Sequence, residues 1–280
     1  MTQSSANESL LVPVANPETV DRLMDTANDI ALSRDIPITL VHVVEVPPQI
    51  PLSEGDEILS DEGTEAELLE YAEERAHKRD ISTDTRLRYA RDTATGIIGA
   101  VSDYNSSAML IGWRGRPRRR DIVLGSFLDR VLGEAPCDVF VKRIRMPTST
   151  VESILVPVAG GPHDELAAAL AANIASVHDA VIELLHIQET NTVMQESEQE
   201  ILDSRKEHIQ TISDVSVKTR FIKSEHVAGT ITDETGDHDL AILGATRDPF
   251  LRRKLVGSVA QGVGRSSACS VIVTRKFVEE

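Results

Sequence analysis

The sequence predicts an α/β fold of two tandem domains, each built on a five-stranded parallel, doubly wound sheet. Short apolar runs alternate with amphipathic segments of helical period, the order that such sheets require. The whole pattern occurs twice within 280 residues. We place the domains at residues 1–147 and 148–280, each of an ordinary domain size. The stretch MPTSTVES, rich in Pro, Ser and Thr, is typical of a linker between them.

The duplication is visible in paired segments that keep a fixed offset. LLVPVA at 10–15 matches ILVPVA at 154–159, an offset of 144, and His42 matches His186 at the same offset. Farther along the chain the offset becomes 132. It then relates Gly112 to Gly244, Gly125-Ser126 to Gly257-Ser258, Cys137 to Cys269 and Arg143 to Arg275.

Each half contains five apolar runs with helical segments between them. In the first half the predicted strands are SLLVPVA, ITLVHVVEV, DTRLRYA, AMLIGW and CDVFVKR. Asn16-Pro17 predicts a helix cap followed by a first-turn proline. The other predicted helices are EAELLEYAEERAHKR, GIIGAVSDY and SFLDRVLGEA. The second half repeats this order, with VIELLHI, VKTRFI, LAILGA and CSVIVTR as strands after ILVPVA.

The two halves differ in length between residues 45 and 90. The first half carries EVPPQIPLSEGDEILSDEGTEAE there, which is rich in Pro, Gly and acidic residues. This composition predicts a mobile surface loop.

The chain is acidic, with 45 Asp and Glu against 22 Arg and 7 Lys and a formal net charge of -16. Few lysines and few aromatic residues accompany the acidity, a combination that favours a halophilic protein in a salt-rich cytoplasm. An ordinary acidic cytosolic protein is the alternative. The charge argues against a nucleic-acid partner, which would require a basic face. No apolar run is long enough to predict a membrane span, and the N-terminus lacks an apolar signal core.

The most informative motif is GWRGRPRRRDIVLGS at residues 112–126. Gly112 closes the fourth strand, Gly115 follows, and Gly125-Ser126 begins the last helix. Glycines let backbone N–H groups approach a ligand, and a helix N-terminus offers free donors and a positive dipole end. These features suit a phosphate chain. Two interpretations stay open for the arginines of this motif, Arg118, Arg119 and Arg120. They either contact the phosphate chain of a ligand or lie on a surface loop.

The spacing G-2x-G-9x-G-[S/T] resembles that of the universal stress protein superfamily. The strands LLVPVA, LVHVV and CDVFVKR agree, so the resemblance covers nearly the whole chain as two fused domains, similar in acidity to haloarchaeal members. It implies Rossmann-like (HUP-type) domains and an adenine-nucleotide pocket in domain 1, with Mg²⁺ only if ATP is bound. The implied nucleotide contacts are Pro13, Ala15, Val43, Gly112, Gly115, Gly125, Ser126 and Phe127, with Gly244, Gly257 and Ser258 in domain 2.

Two departures from the family pattern bear on this expectation. Nucleotide-binding members usually carry an aspartate at the end of the first strand, where this chain has Ala15 and Ala159. In domain 2, Arg247 replaces the glycine that matches Gly115. We therefore expect unequal halves, with nucleotide binding in domain 1 and no ordinary ATP binding in domain 2.

The sequence thus predicts a cytoplasmic tandem universal stress protein acting as a stress-response regulatory module. The alternatives are an interaction or regulatory protein without nucleotide, for example one that serves a transporter, and a weak ATPase. No catalytic residue or metal site is predicted. The fifth strands, 138–143 and 270–275, are expected to pair as an intramolecular pseudo-dimer, with homo-oligomers also possible. Cys137 and Cys269 are expected in the core, and His42 and His186 in a shared packing or hydrogen-bonding position.

Overall fold

The computed structural model describes residues 8–59, 63–113, 126–144, 150–188, 197–245 and 258–278, which form one ten-stranded sheet covered by helices on both faces. The strands are β1 (Ser9–Pro13), β2 (Ile38–Glu45), β3 (Thr83–Ala90), β4 (Ser106–Trp113), β5 (Asp138–Arg143), β6 (Ser153–Pro157), β7 (Val181–Gln188), β8 (Val217–Lys223), β9 (Leu240–Gly244) and β10 (Ser270–Arg275). The helices are α1 (Pro17–Arg34), α2 (Gly55–Leu59), α3 (Thr64–His77), α4 (Thr93–Asp103), α5 (Ser126–Glu134), α6 (Pro162–His178), α7 (Ser197–Ile212), α8 (Val227–Glu234) and α9 (Ser258–Ser266).

The predicted α/β fold is confirmed. The sheet order is β3-β2-β1-β4-β5-β10-β9-β6-β7-β8, and every pairing inside each half is parallel. Within domain 1 the order reverses between β1 and β4, and within domain 2 between β6 and β9. These are the topological switch points at which ligands bind in doubly wound sheets.

The two halves join at the centre of the sheet through their fifth strands. β5 and β10 pair antiparallel, with Val141 opposite Val273 and Lys142 opposite Ile272. This is the strand pairing expected from the sequence. It removes what would otherwise be two exposed sheet edges in the middle of the molecule.

Alternating strand side chains supply two apolar cores, one on each face of the sheet. Leu10 and Val12 pack with α1, α3, α6 and α7, whereas Leu11 packs on the face covered by α4, α5, α8 and α9. Both cores draw side chains from the two halves. Burying one such aliphatic side chain contributes about 1.5–3 kcal/mol, so the halves stabilise each other along both faces.

The segment after β2 lies largely on the surface, as predicted, but residues 45–59 are not a loop without regular structure. This segment contains a 3₁₀ turn at Leu52–Glu54 and the short helix α2. Arg91 donates through Nη1 to three backbone carbonyls at 2.7–3.2 Å, those of Val46, Pro47 and Ile50. Tyr89 donates its hydroxyl to Asp56 at 2.9 Å. Both anchoring residues are more than thirty positions downstream, so local composition did not indicate them.

No helix within the described ranges is both long and apolar enough to cross a membrane.

Candidate functional site

Domain 1 has a cavity of about 710 Å³ at the carboxyl ends of β1, β2 and β4. This volume is within the range of small-molecule binding sites. Its apolar lining is Pro13, Val14, Ala15, Leu23, Val41, Val43, Ala94, Ile97, Ile111, Gly112, Phe127 and Ile144. Its polar lining is Asn16, Thr19, His42, Glu45, Asp92, Thr93 and Arg130. The cavity therefore has apolar walls and a polar margin at the switch point of domain 1.

The structure brings five of the sequence-predicted positions together around this cavity: Pro13, Ala15, Val43, Gly112 and Phe127. The backbone of Ser126 begins α5 immediately beside Phe127. Gly115, Gly125 and the arginines Arg118, Arg119 and Arg120 lie outside the described residues, as does Arg247.

Packing leaves little room for a side chain at position 112. A Cβ at this position would overlap the Cδ1 atom of Ile144 and come within 3.9 Å of Leu23 in α1. Ile144 is almost fully buried and itself lines the cavity. The Ile144 side chain, which follows β5, thus occupies the space next to Gly112, the penultimate residue of β4.

The end of β1 offers no carboxylate to the cavity. Ala15 is followed by Asn16, whose Oδ1 accepts a hydrogen bond from the Thr19 N–H at 3.1 Å and caps α1. Asn16 thus has the capping role that the sequence predicts. It satisfies one of the free N–H groups at the start of the helix.

Two carboxylates that sequence reasoning missed lie at the polar margin. Glu45 Oε1 accepts from Thr93 at 2.9 Å from the backbone N–H and at 2.6 Å from the hydroxyl. Asp92 caps α4 by accepting from the Thr95 N–H at 2.9 Å. Hydrogen bonds from Thr95, followed by the nearby Arg130 guanidinium, lower the pKa of Asp92 to about 2.

Arg130 of α5 completes this margin. It donates through Nη1 to Asp92 at 2.8 Å and through Nε to Glu134 at 3.2 Å. Hydrogen bonds to these two carboxylates raise the pKa of Arg130. Its charge is thereby balanced by protein groups. The margin of the cavity described here is net acidic, which favours hydroxyl and amino groups of a ligand over its phosphates.

His42 and His186 occupy equivalent positions, as the repeat predicts. His42 Nδ1 lies 2.9 Å from the Val14 carbonyl oxygen, and His186 Nδ1 lies 2.8 Å from that of Val158. Because a carbonyl oxygen only accepts, Nδ1 carries the proton in both rings. Each histidine therefore holds the segment that leaves the first strand of its domain.

The equivalent cavity of domain 2 is smaller, at about 320 Å³. Its wall includes Asp164 in the first turn of α6, whose Oδ2 accepts from the Ala159 N–H at 2.7 Å. Burial raises the pKa of Asp164. A Cβ on Gly244 would overlap the Asp164 carboxylate and lie 2.8 Å from the His163 backbone. Asp164 therefore occupies space beside Gly244 and accepts the hydrogen bond of the Ala159 N–H.

The adjacent residues His238 and Asp239 have structural partners. His238 Nδ1 lies 2.9 Å from the Glu234 carbonyl, and Asp239 accepts from two backbone N–H groups, of Glu152 and Ser153, at 2.9 and 3.0 Å. The described residues contain no group of three or more His, Cys, Asp or Glu side chains placed to hold a metal ion. Burial raises the pKa of Cys137 to about 12 and that of Cys269 to about 11, so both thiols stay protonated at neutral pH.

The fold and cavity together define a tandem Rossmann-like α/β protein with a ligand-sized site at the switch point of its first domain. The family model described as the universal stress protein family matches residues 7–143 and 150–275. The chain therefore belongs to the universal stress protein family, as two consecutive domains.

Individual proteins are similar to this chain over most of its length. The chain is 24% identical over 260 residues to the Na(+)/H(+) antiporter NhaS5 of Synechocystis, covering 91% of this chain but only 36% of the antiporter. It is 27% identical over 273 residues to the universal stress protein Rv2005c of Mycobacterium tuberculosis, covering 89% of this chain and 90% of that protein. Among solved structures, a universal stress protein from Archaeoglobus fulgidus superimposes with a TM-score of 0.68 at 17% identity, covering 96% and 98% of the two chains.

Proposed function

We propose that this chain is a stress-response regulatory module that binds an adenine nucleotide, ATP or AMP, in the cavity of domain 1. The observation that carries the proposal is the cavity of about 710 Å³ at the switch point, where Pro13, Val43 and Gly112 converge. Cavities at switch points are the usual ligand sites of doubly wound sheets.

The cavity fits the parts of a nucleotide in different ways. Apolar walls that include Pro13 and Val43 suit the base, and the N-terminus of α5 at Ser126 suits phosphate because its N–H groups are free of intrahelical partners. The glycine spacing adds Gly115 and Gly125 to the proposed phosphate contacts. Mg²⁺ would enter only with the phosphates of ATP.

Glu45 is our candidate for the role of the missing aspartate. It lines the cavity and is exposed, and only its Oε1 accepts hydrogen bonds within the described part of the chain. Oε2 is then available to a ribose hydroxyl or an amino group of the ligand. We expect Glu45→Gln to weaken nucleotide binding about tenfold, because hydrogen bonds to charged groups are the stronger class. Glu54→Gln, which removes an exposed carboxylate outside the cavity lining, is the control.

Domain 2 is proposed not to bind nucleotide in this way. Asp164 brings a carboxylate into the position beside Gly244 and engages the Ala159 N–H. A carboxylate there opposes the approach of phosphate groups by charge and by volume. The nucleotide stoichiometry expected for the full chain is therefore one.

The proposal is tested with the purified full chain. Adenine nucleotide released on denaturation is identified, and ATP and AMP are titrated in buffer rich in potassium. Gly115→Arg, which copies the residue of domain 2, should abolish binding. Gly236→Arg adds the same charge on an exposed turn where a Cβ meets no atom within 4 Å, and should bind as the wild type does. Unchanged affinity in Gly115→Arg would refute the placement of the phosphates.

A second candidate function is regulation of a transporter without nucleotide. It is favoured by the similarity to NhaS5, in which a segment matching this chain forms 36% of a longer antiporter. The two functions separate by titration: heat and fluorescence signals absent at millimolar ATP and AMP would favour this alternative. Phosphate release above blank that is lost in Gly115→Arg would instead identify a weak ATPase.

The acidic composition supports placing this module in a salt-rich cytoplasm. With a formal net charge of -16, repulsion between carboxylates opposes the compact state and is screened by salt. We expect the unfolding temperature to rise steadily between 0.1 and about 2 M KCl. An unfolding temperature independent of KCl would contradict this part of the proposal.

A further inference from the structure

Trp113 connects the cavity of domain 1 to a helix of domain 2. Successive residues of a strand face opposite sides of the sheet, and Gly112 faces α1 and the cavity. Trp113 faces the other side, where α9 lies: a Cβ on Gly264 of α9 would be 3.0 Å from the Trp113 ring. Gly264 is buried, and its lack of a side chain makes room for the indole.

A second contact from the same face reinforces the first. Arg143 is opposite Trp113 in the β4–β5 register and is almost fully buried. It donates through Nη1 to the Ser267 hydroxyl at 2.9 Å, one residue after α9 ends. Neighbouring residues of domain 1 therefore hold the end of α9, a helix whose first turn lines the cavity of domain 2 through Val259 and Ala260.

Arg275 of domain 2, which the repeat relates to Arg143, makes the corresponding contact to a helix of domain 1. Arg275 donates through Nη1 to the carbonyls of Ala135 at 3.0 Å and Cys137 at 2.8 Å, just after α5 ends. Carbonyls near a helix C-terminus lack intrahelical partners, and a cation stabilises that end of the helix dipole. The first turn of α5 carries Phe127 and the next carries Arg130, and both line the cavity of domain 1.

We infer that domain 2 is a structural part of the domain 1 site, with Trp113 and Arg275 as positioning residues. Trp113 fixes Gly112 at the end of β4 by packing on Gly264, and Arg275 fixes α5 by holding its end. A change in α9 alters the shape of the domain 1 cavity, and a ligand in that cavity shifts the environment of Trp113. The identity of this ligand rests on the proposed function; the mechanical link does not.

The matched pair Gly264→Ala and Gly262→Ala tests the inference. Both replace a glycine of α9 and raise its helix propensity equally. The new Cβ meets Trp113 at 3.0 Å in the first variant but only Ala228, at an ordinary 3.5 Å, in the second. Because Trp113 is the only tryptophan of the chain, its emission reports the contact directly.

Two readouts are taken in the full chain, with and without AMP. Without ligand, Gly264→Ala should shift the Trp113 emission and speed hydrogen exchange of the Ile144 amide, which donates to the Trp113 carbonyl at 2.8 Å in the wild type. With AMP, Gly264→Ala should change the dissociation constant about fivefold or more, the range of ordinary coupling between sites. Gly262→Ala should match the wild type in every measurement.

The outcomes separate the inference from the proposed function. A shifted emission with unchanged Ile144 exchange would overturn the inference, since the contact would then be local. If the wild type binds no AMP, the proposed function fails, and the exchange result alone decides the inference. If Gly264→Ala does not fold, Arg275→Met and Arg275→Lys replace it. Arg275→Met should speed amide exchange in α5 and Arg275→Lys should partly restore it, whereas identical exchange in both would refute the link.

Discussion

Replacing Lys142 with methionine should remove a specific pH dependence from the stability of the protein. Lys142 is fully buried in β5, next to the join between the two halves. Its Nζ donates to the Arg22 carbonyl at 2.5 Å and to the Thr26 hydroxyl at 2.6 Å. The negative charges of Asp25 and Asp29 favour its charged form.

The magnitude follows from the pKa of Lys142, which burial lowers from 10.5 to about 8. Between these two values the unfolded chain binds the proton and the folded chain has released it. The free energy of unfolding therefore rises with pH across this window. The lowered pKa corresponds to about 3 kcal/mol in the free energy of unfolding. The folded protein gains all of this stability as the pH rises from below 8 to above 10.5. Lys142→Met lacks this gain, since methionine does not titrate.

Urea denaturation at pH 7 to 11 and constant KCl measures the effect as the difference between wild type and variant. That difference removes the contribution of every other titrating group. The wild type should gain about 3 kcal/mol relative to Lys142→Met across the range. Thr274→Val changes the equivalent buried residue of domain 2, which has no titrating group, and should run parallel to the wild type. Parallel curves for wild type and Lys142→Met would refute the reasoning.

Gly96→Ala should lower the free energy of unfolding by about 1–3 kcal/mol and weaken nucleotide binding, because its Cβ would lie 2.5 Å from Val43 in the cavity wall. Urea denaturation measures the first effect and nucleotide titration the second. Gly99→Ala meets only the flexible end of Arg88 and should cost less, so equal losses would contradict the packing argument. Asp164→Ala should lower the free energy of unfolding by about 1–3 kcal/mol, because the Ala159 N–H loses its acceptor, and an unchanged urea midpoint would count against that hydrogen bond.

Much of the fold could be predicted because the same order of strands and helices occurs twice in the sequence. The offsets of 144 and 132 residues relate strands of the first half to those of the second. The apolar runs indicate where the strands lie and that their faces are buried. The histidine positions were predictable for the same reason. Residues 45–59 were not, since their order depends on Arg91 and Tyr89, which are adjacent to the segment only in the folded chain.

The candidate site was predicted in part. The family resemblance, which rests on the glycine spacing, implied Gly112 and Val43 as site positions, and both line the cavity. Glu45 and Arg130 belong to no motif, and both line the cavity only because β2 and α5 converge at one edge of the sheet. The inequality of the domains was expected from Arg247. Arg247 lies outside the described residues, so that expectation stays a prediction. The described residues add a second difference, the Asp164 carboxylate beside Gly244, whose position depends on how closely α6 approaches β9.

The measurement that tests the central claim most directly is the stoichiometry of AMP and ATP binding to the full chain by calorimetry. Binding in the domain 1 cavity alone predicts one nucleotide per chain, lost in Gly115→Arg and retained in Gly236→Arg. Two nucleotides per chain would contradict the exclusion of domain 2. No binding at millimolar concentration would contradict the account of domain 1.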